Sequence, residues 1–221
     1  KNFNYKLSNT LFEKYLRQKY FKIIKSDIDL RIKTIATDIT TLSNSIIAFC
    51  YIFFDMFVII LVSIFLIYVN PLAAFSFFLS LIFFGGFFSL QIKQKLKSWG
   101  IQSVQNEKLK FSYIYQGFYG IRDIKINNNY DSVINKFSNS NNVFLKNLFK
   151  KNFIQAITKF IIELLAVLSF VIFLGVILSN LNFDELLPTL GVFAASSFKL
   201  LPSLNRLLIS RQTIRFIEPI I

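Results

Sequence analysis

The sequence predicts an all-α membrane protein, a polytopic helical bundle with long cytoplasmic helical extensions. Three observations carry this. The chain of 221 residues is 54% hydrophobic with 28 Phe, yet holds a net charge of +13. Long apolar segments with charge confined between them are the composition of a membrane protein rather than a soluble domain. Four apolar runs, about residues 44–69, 71–92, 153–178 and 186–209, each reach the roughly 20 residues that a helix needs to cross a hydrocarbon core. Of 25 Lys and Arg, 23 fall on one side of those runs: nine in residues 1–33, eleven in 93–151 and three in 206–215.

Taken in order, the first 43 residues precede the first span. Residues 7–24 read as one amphipathic helix, 25–32 as a turn or short helix, and 35–47 as a helix climbing into the membrane. The first two runs are joined by Asn70-Pro71, and the last two by 179–185, which has two acids and no base. By the positive-inside rule both ends and residues 93–151 are cytoplasmic. Helix is the expected conformation of every run, because lipid offers the backbone no hydrogen-bond partner. The inner segment shows apolar residues at helical spacing on both arms: Ile101, Val104, Leu109 and Tyr113, then Val133, Ile134, Phe137, Val143, Phe144 and Leu148. It therefore reads as two helices continuing roughly 35 Å beyond the membrane at ~1.5 Å per residue. Residues 117–128, with two glycines and an Asn cluster, read as the connector at the tip. Two cytoplasmic hairpins result, about 1–43 and 93–152.

The start lacks an initiator Met and a short apolar signal-peptide core, so an internal piece of a longer protein is expected. The lone Cys50 lies in an apolar run, so disulfides play no part. No His occurs, which removes His-based metal sites and His general bases. None of the seven glycines precedes a Lys, so no P-loop cradles phosphate. Asp27/Asp29 and Asp184/Glu185 lie in polar connections and read as solvated surface. This segment therefore carries no catalytic residue and no metal site. The bases flank apolar spans, which fits topology and anionic lipid headgroups better than nucleic acid.

Ionisable residues inside spans are the candidate site, because charge at depth is costly and faces a bundle interior or a cavity. They are Asp55, Lys159, Glu163 and Lys199. Lys159 can snorkel to the headgroups or pair with Glu163 one turn on. Asp55, about eleven residues into its run, needs a partner whether it is structural or functional. Lys199 is too deep to snorkel with ease, and Pro202 cannot donate to the carbonyl of residue 198, so a helix kink is expected there. Lys199 then either lines a cavity that meets an anionic group or pairs with Asp55 or Glu163.

With these residues placed, the pattern resembles the transmembrane domain of an ABC exporter of the type IV fold, the type-1 exporter domain. SDIDLRIKTIATD at 26–38 is similar to that family's first coupling-helix region, and YIYQGFYGIRDIKINNNYDSVINKF at 113–137 to its second. IIE at 161–163 and FKLLPS at 198–203 look like bacterial lipid-linked oligosaccharide flippases, which carry Arg where this chain has Lys199. The resemblance covers nearly the whole chain, with the four runs as helices three to six. It implies a nucleotide-binding domain outside this segment, fused or separate, that binds ATP and Mg. The tips at about 20–31 and 117–127 would dock on it through Phe21, Asp27 and Arg31, and through Phe118, Tyr119 and Ile121 with Arg122 and Lys125 at the rim. It further implies a homodimer of half-transporters in a bacterial inner membrane, moving a lipid-linked or amphipathic substrate by alternating access. Lys199, Asp55 and Glu163 would face the substrate. A peptide, toxin or drug exporter shares this architecture, and a membrane sensor or scaffold with helical stalks is the more distant alternative.

Overall fold

A computed structural model describes the backbone of residues 2–24, 27–180 and 183–220, and the side chains of 3–22, 27–71, 74–75, 92–175 and 188–219. Every regular element among the described residues is helical: α1 (Asn2–Leu16), α2 (Tyr20–Ile24), α3 (Ile28–Lys33), a π-helical turn (Thr34–Asp38), α4 (Ile39–Val69), α5 (Pro71–Tyr119), α6 (Ile121–Ile126), α7 (Tyr130–Asn180), α8 (Phe183–Ile217) and a closing 3-10 turn (Glu218–Ile220). Two stretches, Ile28–Val69 and Tyr130–Gly175, are long and apolar enough to cross a membrane. The run at 71–92 lies on α5, but most of its side chains fall outside the described residues; the run at 186–209 lies on α8.

The chain divides into two compact units. One comprises Lys1–Ile47, Lys97–Lys151 and Phe216–Ile221; the other comprises Ala48–Leu96 and Asn152–Arg215.

The second unit is apolar on its outside. On α4, Phe53, Phe57, Ile60, Ile64 and Ile67 recur at helical spacing and are all at least half exposed. On α7, Phe160, Leu164, Val167 and Val171 do the same. The side chains turned inward are smaller or more polar. On α8 the buried positions include Thr189, Ser196, Ser203 and Ser210, one every seven residues, with Phe193 and Leu200 between them. Thr158, Ala166 and Ser169 are buried on α7. Small and polar residues thus stand inside beside a few large apolar ones, and small residues at helix contacts let helices in lipid approach closely. Phe173 and Phe193 anchor the core, stacked with ring centroids 4.3 Å apart, beside Leu66, Ala74 and Leu200. Buried hydroxyls return to their own helix, as where Thr158 and Ser169 donate to the carbonyls of Ile154 and Leu165. Between α7 and α8, Gln155 donates to Thr213 Oγ1 at 3.0 Å and Gln212 to Thr158 Oγ1 at 2.8 Å.

The first unit is held by charge and polar contacts. The helix expected over 7–24 breaks after Leu16. Gln18 N–H closes a tighter bond to Tyr15 C=O at 3.3 Å, and α2 begins at Tyr20. Arg31, across the unit, braces the break. Its guanidinium sits 4.9 Å from the Tyr15 ring centre and donates to Gln18 Oε1 at 2.8 Å and to the Lys22 carbonyl at 3.5 Å. The chain turns around this cation. The tip at 117–128 is a helix rather than a plain loop, since α6 fills it between Gly120 and Asn127. The Asn cluster does form the turn, with Asn128 at φ 49°, a conformation that Asn tolerates better than most residues.

Candidate functional site

The four ionisable residues singled out from the apolar runs all lie in the second unit, and the structure sorts them into two pairs and one exposed cation. Asp55, on α4, has no exposed surface. Its carboxylate accepts from Arg206 on α8 in a forked arrangement, Nη2 to Oδ1 at 2.7 Å and Nε to Oδ2 at 3.0 Å. Such a bidentate fork is what a planar guanidinium offers a carboxylate and an ammonium does not. Arg206 keeps 44% of its side chain exposed and lies 5.6 Å and 5.9 Å from the ring centres of Tyr51 and Phe54. Asp55 is thus occupied by a structural partner and turned away from any open surface.

Lys159 and Glu163 face each other one turn apart on α7 at 4.0 Å, both more than half exposed. They border a groove of about 270 Å³ between α7 and α8, whose α8 wall includes Phe198, Pro202 and Asn205. Asn205 Oδ1 is buried and has no hydrogen-bond partner among the described residues.

Lys199 is exposed, and no ion pair involves it among the described residues. Pairing with Asp55 or Glu163 is therefore not what this arrangement uses: Arg206 holds the first, and Lys159 stands 4.0 Å from the second. Seven residues separate Lys199 from Arg206, close to two helical turns, so both cations lie on one exposed face of α8 about 10 Å apart along the axis. The helix runs through Pro188 and Pro202 without a break.

The proposed docking residues lie in the first unit. At the second tip Phe118 and Tyr119 are 78% and 81% exposed, and Ile121, Arg122 and Lys125 are exposed with them. At the first tip Phe21 and Asp27 are exposed, Asp27 within 3.8 Å of Lys108 on α5. Arg31 is partly buried and braces α1 and α2 as described, so its charge is spent inside the unit.

Beside that brace sits a cluster that sequence reasoning missed. Lys33 is buried, with its ammonium 2.6 Å from Asp38 and 3.4 Å from Glu107 on α5. Lys33 and Asp38 stand five residues apart, a spacing that an α-helix splays and the wider π turn over Thr34–Asp38 brings onto one face. The signal was local: a Lys and an Asp five apart with a Glu at helical distance in another amphipathic stretch, which is too common to single out. Arg206 stands at the end of an apolar run, where its position alone marks a flanking topogenic charge. Among the described residues no cluster of acidic or thiol side chains could hold a metal ion. No protein-family model matches the sequence.

Proposed function

We propose that this chain is the transmembrane domain of an ATP-driven transporter of the ABC exporter type, moving a lipid-linked or amphipathic substrate across a bacterial inner membrane by alternating access, with a lipid-linked oligosaccharide as the narrower substrate class. The observation that carries the reading is the second tip. A six-residue helix, α6, stands at the turn between two helices of 49 and 51 residues, each with an apolar run in the part away from that turn. Phe118, Tyr119, Ile121 and Ile126 are exposed on or beside it, with Arg122 and Lys125 interleaved. A set of large apolar side chains left to solvent beyond the membrane runs is a surface that a partner covers. A nucleotide-binding domain is the partner that this reading names.

Mechanically, closure of two ATPase domains would push on such tips, and stiff helices would carry the push into the bundle. Lys199 supplies a compact, exposed cation within an apolar helix, suited to the phosphate of a lipid-linked substrate as a point charge. The pair of half-transporters, the ATP and the Mg all belong to the assembly rather than to this segment.

The test uses the full-length protein, reconstituted with its ATPase domain. Lys199→Ala should lower substrate-stimulated flipping while expression and basal ATPase remain. Tyr119→Ala or Ile121→Ala should uncouple ATPase from transport. A downstream or neighbouring gene without a P-loop and an S-G-G-Q signature would remove the transporter reading. ATPase stimulation by peptides but not by polyprenyl-pyrophosphate glycans would leave the architecture and replace the substrate.

A further inference from the structure

The groove between α7 and α8 has a composition that matches one class of ligand, and we propose that it holds the headgroup of a zwitterionic aminophospholipid, one that carries both a phosphate and a primary ammonium. The inference rests on the membrane reading above and adds a site to it.

The two charges on its rim are close but not bonded. At 4.0 Å, Lys159 Nζ and Glu163 Oε1 lie beyond hydrogen-bond length, so each keeps its donors or acceptors for something else. Together they make a site with one positive and one negative end and no net charge. An anionic lipid would gain at Lys159 and lose at Glu163, whereas a zwitterion gains at both.

The third polar group distinguishes among zwitterions. Asn205 lines the groove and its Oδ1 is sealed with no donor against it among the described residues, an unfavourable state for a buried acceptor. Turning the amide toward the groove relieves this when the occupant brings hydrogen-bond donors, which separates ethanolamine from choline. Ethanolamine has three; choline has none.

Size agrees. About 270 Å³ holds roughly nine atoms at the ~30 Å³ that each water takes in the liquid, and a phosphoethanolamine group has about eight non-hydrogen atoms. Lys159 and Glu163 lie six and ten residues, or about 9 and 15 Å, into the apolar run that begins at 153, so the headgroup is drawn below the interface to meet both charges. Beside it on α7, Phe160, Leu164, Val167 and Val171 form the exposed apolar strip along which acyl chains can lie.

The experiment takes the full chain in detergent and measures lipid binding by native mass spectrometry. The lipids are dioleoyl phosphatidylethanolamine, its mono- and dimethylated forms, phosphatidylcholine and phosphatidylglycerol. The expected result is about tenfold tighter binding of the ethanolamine lipid than of the choline or glycerol lipids, falling stepwise with each N–H removed. Glu163→Gln should abolish the preference over phosphatidylglycerol, and Asn205→Leu the preference over phosphatidylcholine. The methylation series needs no variant, so a misfolded mutant does not rescue the idea. Equal affinity for all five lipids, or tightest binding of phosphatidylglycerol, overturns it while leaving the membrane reading in place. A chain that stays soluble without detergent and binds none of them overturns both.

Discussion

Two glycines on α5 should respond to alanine with opposite signs. In the first unit, a Cβ built on Gly100 would lie 2.2 Å from the Phe216 carbonyl oxygen and 3.0 Å from its carbon. Both are backbone atoms, so no side chain can rotate away. Ordinary contact begins at 3.4 Å, so the end of α8 must shift by more than 1 Å or lift off. Overpacking of this kind costs ~1–3 kcal/mol. The contacts beside it would be strained too: Lys97 to Glu218 at 3.0 Å, and Lys151 over the Phe216 ring at 5.3 Å. At Gly117 the same Cβ would meet only Val133 Cγ1 at 3.6 Å, an ordinary contact. Alanine there should stabilise the helix by about 0.5–1 kcal/mol through the backbone entropy that glycine carries. Hydrogen exchange on the detergent-solubilised full chain separates the cases, because it reads local opening. Amides of the segment 212–219 should exchange roughly 5- to 150-fold faster in Gly100→Ala, the range that ~1–3 kcal/mol implies. They should be unchanged in Gly117→Ala, whose own region should exchange more slowly. Equal protection of 212–219 in both variants would refute the close approach.

The Asp55–Arg206 pair should be asymmetric. Arg206→Met strands a carboxylate with no exposed surface and should cost about 3–5 kcal/mol. Asp55→Asn leaves a guanidinium that is 44% exposed and should cost only about 1–2 kcal/mol, both read from thermal or denaturant unfolding. In the first unit, Lys33→Met should destabilise by a similar ~3–5 kcal/mol, since Asp38 and Glu107 would face each other without a cation. Glu107→Gln, which keeps the 2.6 Å contact to Asp38, should cost about 1 kcal/mol. Lys199→Leu should leave stability unchanged or raise it, because it removes a charge that no acid in the described structure holds; a loss above about 1 kcal/mol would show that Lys199 has a structural partner.

What the sequence made legible follows from the range of the physics. The long helices were readable because a run such as 44–69 has one stable conformation in lipid, whatever surrounds it. The tip turn was readable because Gly120 and the Asn cluster act on their own backbone. The break after Leu16 was not, because nothing in residues 7–24 forbids a continuous helix; the break is braced by Arg31, thirteen residues from the Gln18 that it holds. Gly100 is the same case, since its need for a missing Cβ comes from Phe216, far along the chain. The recurrence of Thr189, Ser196, Ser203 and Ser210 at every seventh residue is present in the sequence but hidden from hydropathy. A hydropathy window averages over just that periodicity.

The charges teach a sharper version of the same point. That Asp55 needs a partner was plain from its depth, and Lys199 was the natural candidate because both stood inside apolar runs. The structure gives Asp55 to Arg206, a residue assigned to topology on account of its place at the end of a run. An arginine can serve both purposes: its long stem reaches a buried carboxylate while part of the guanidinium stays outside. With Asp55 held by Arg206 and Glu163 standing 4.0 Å from Lys159, Lys199 is a cation in an apolar helix with no acid against it among the described residues to offset its cost. A cost of that kind persists in a chain when something other than stability depends on it. Asp55 is held by Arg206, and Lys199 stands exposed with no acid against it among the described residues, which is the arrangement that the Lys199 variants probe.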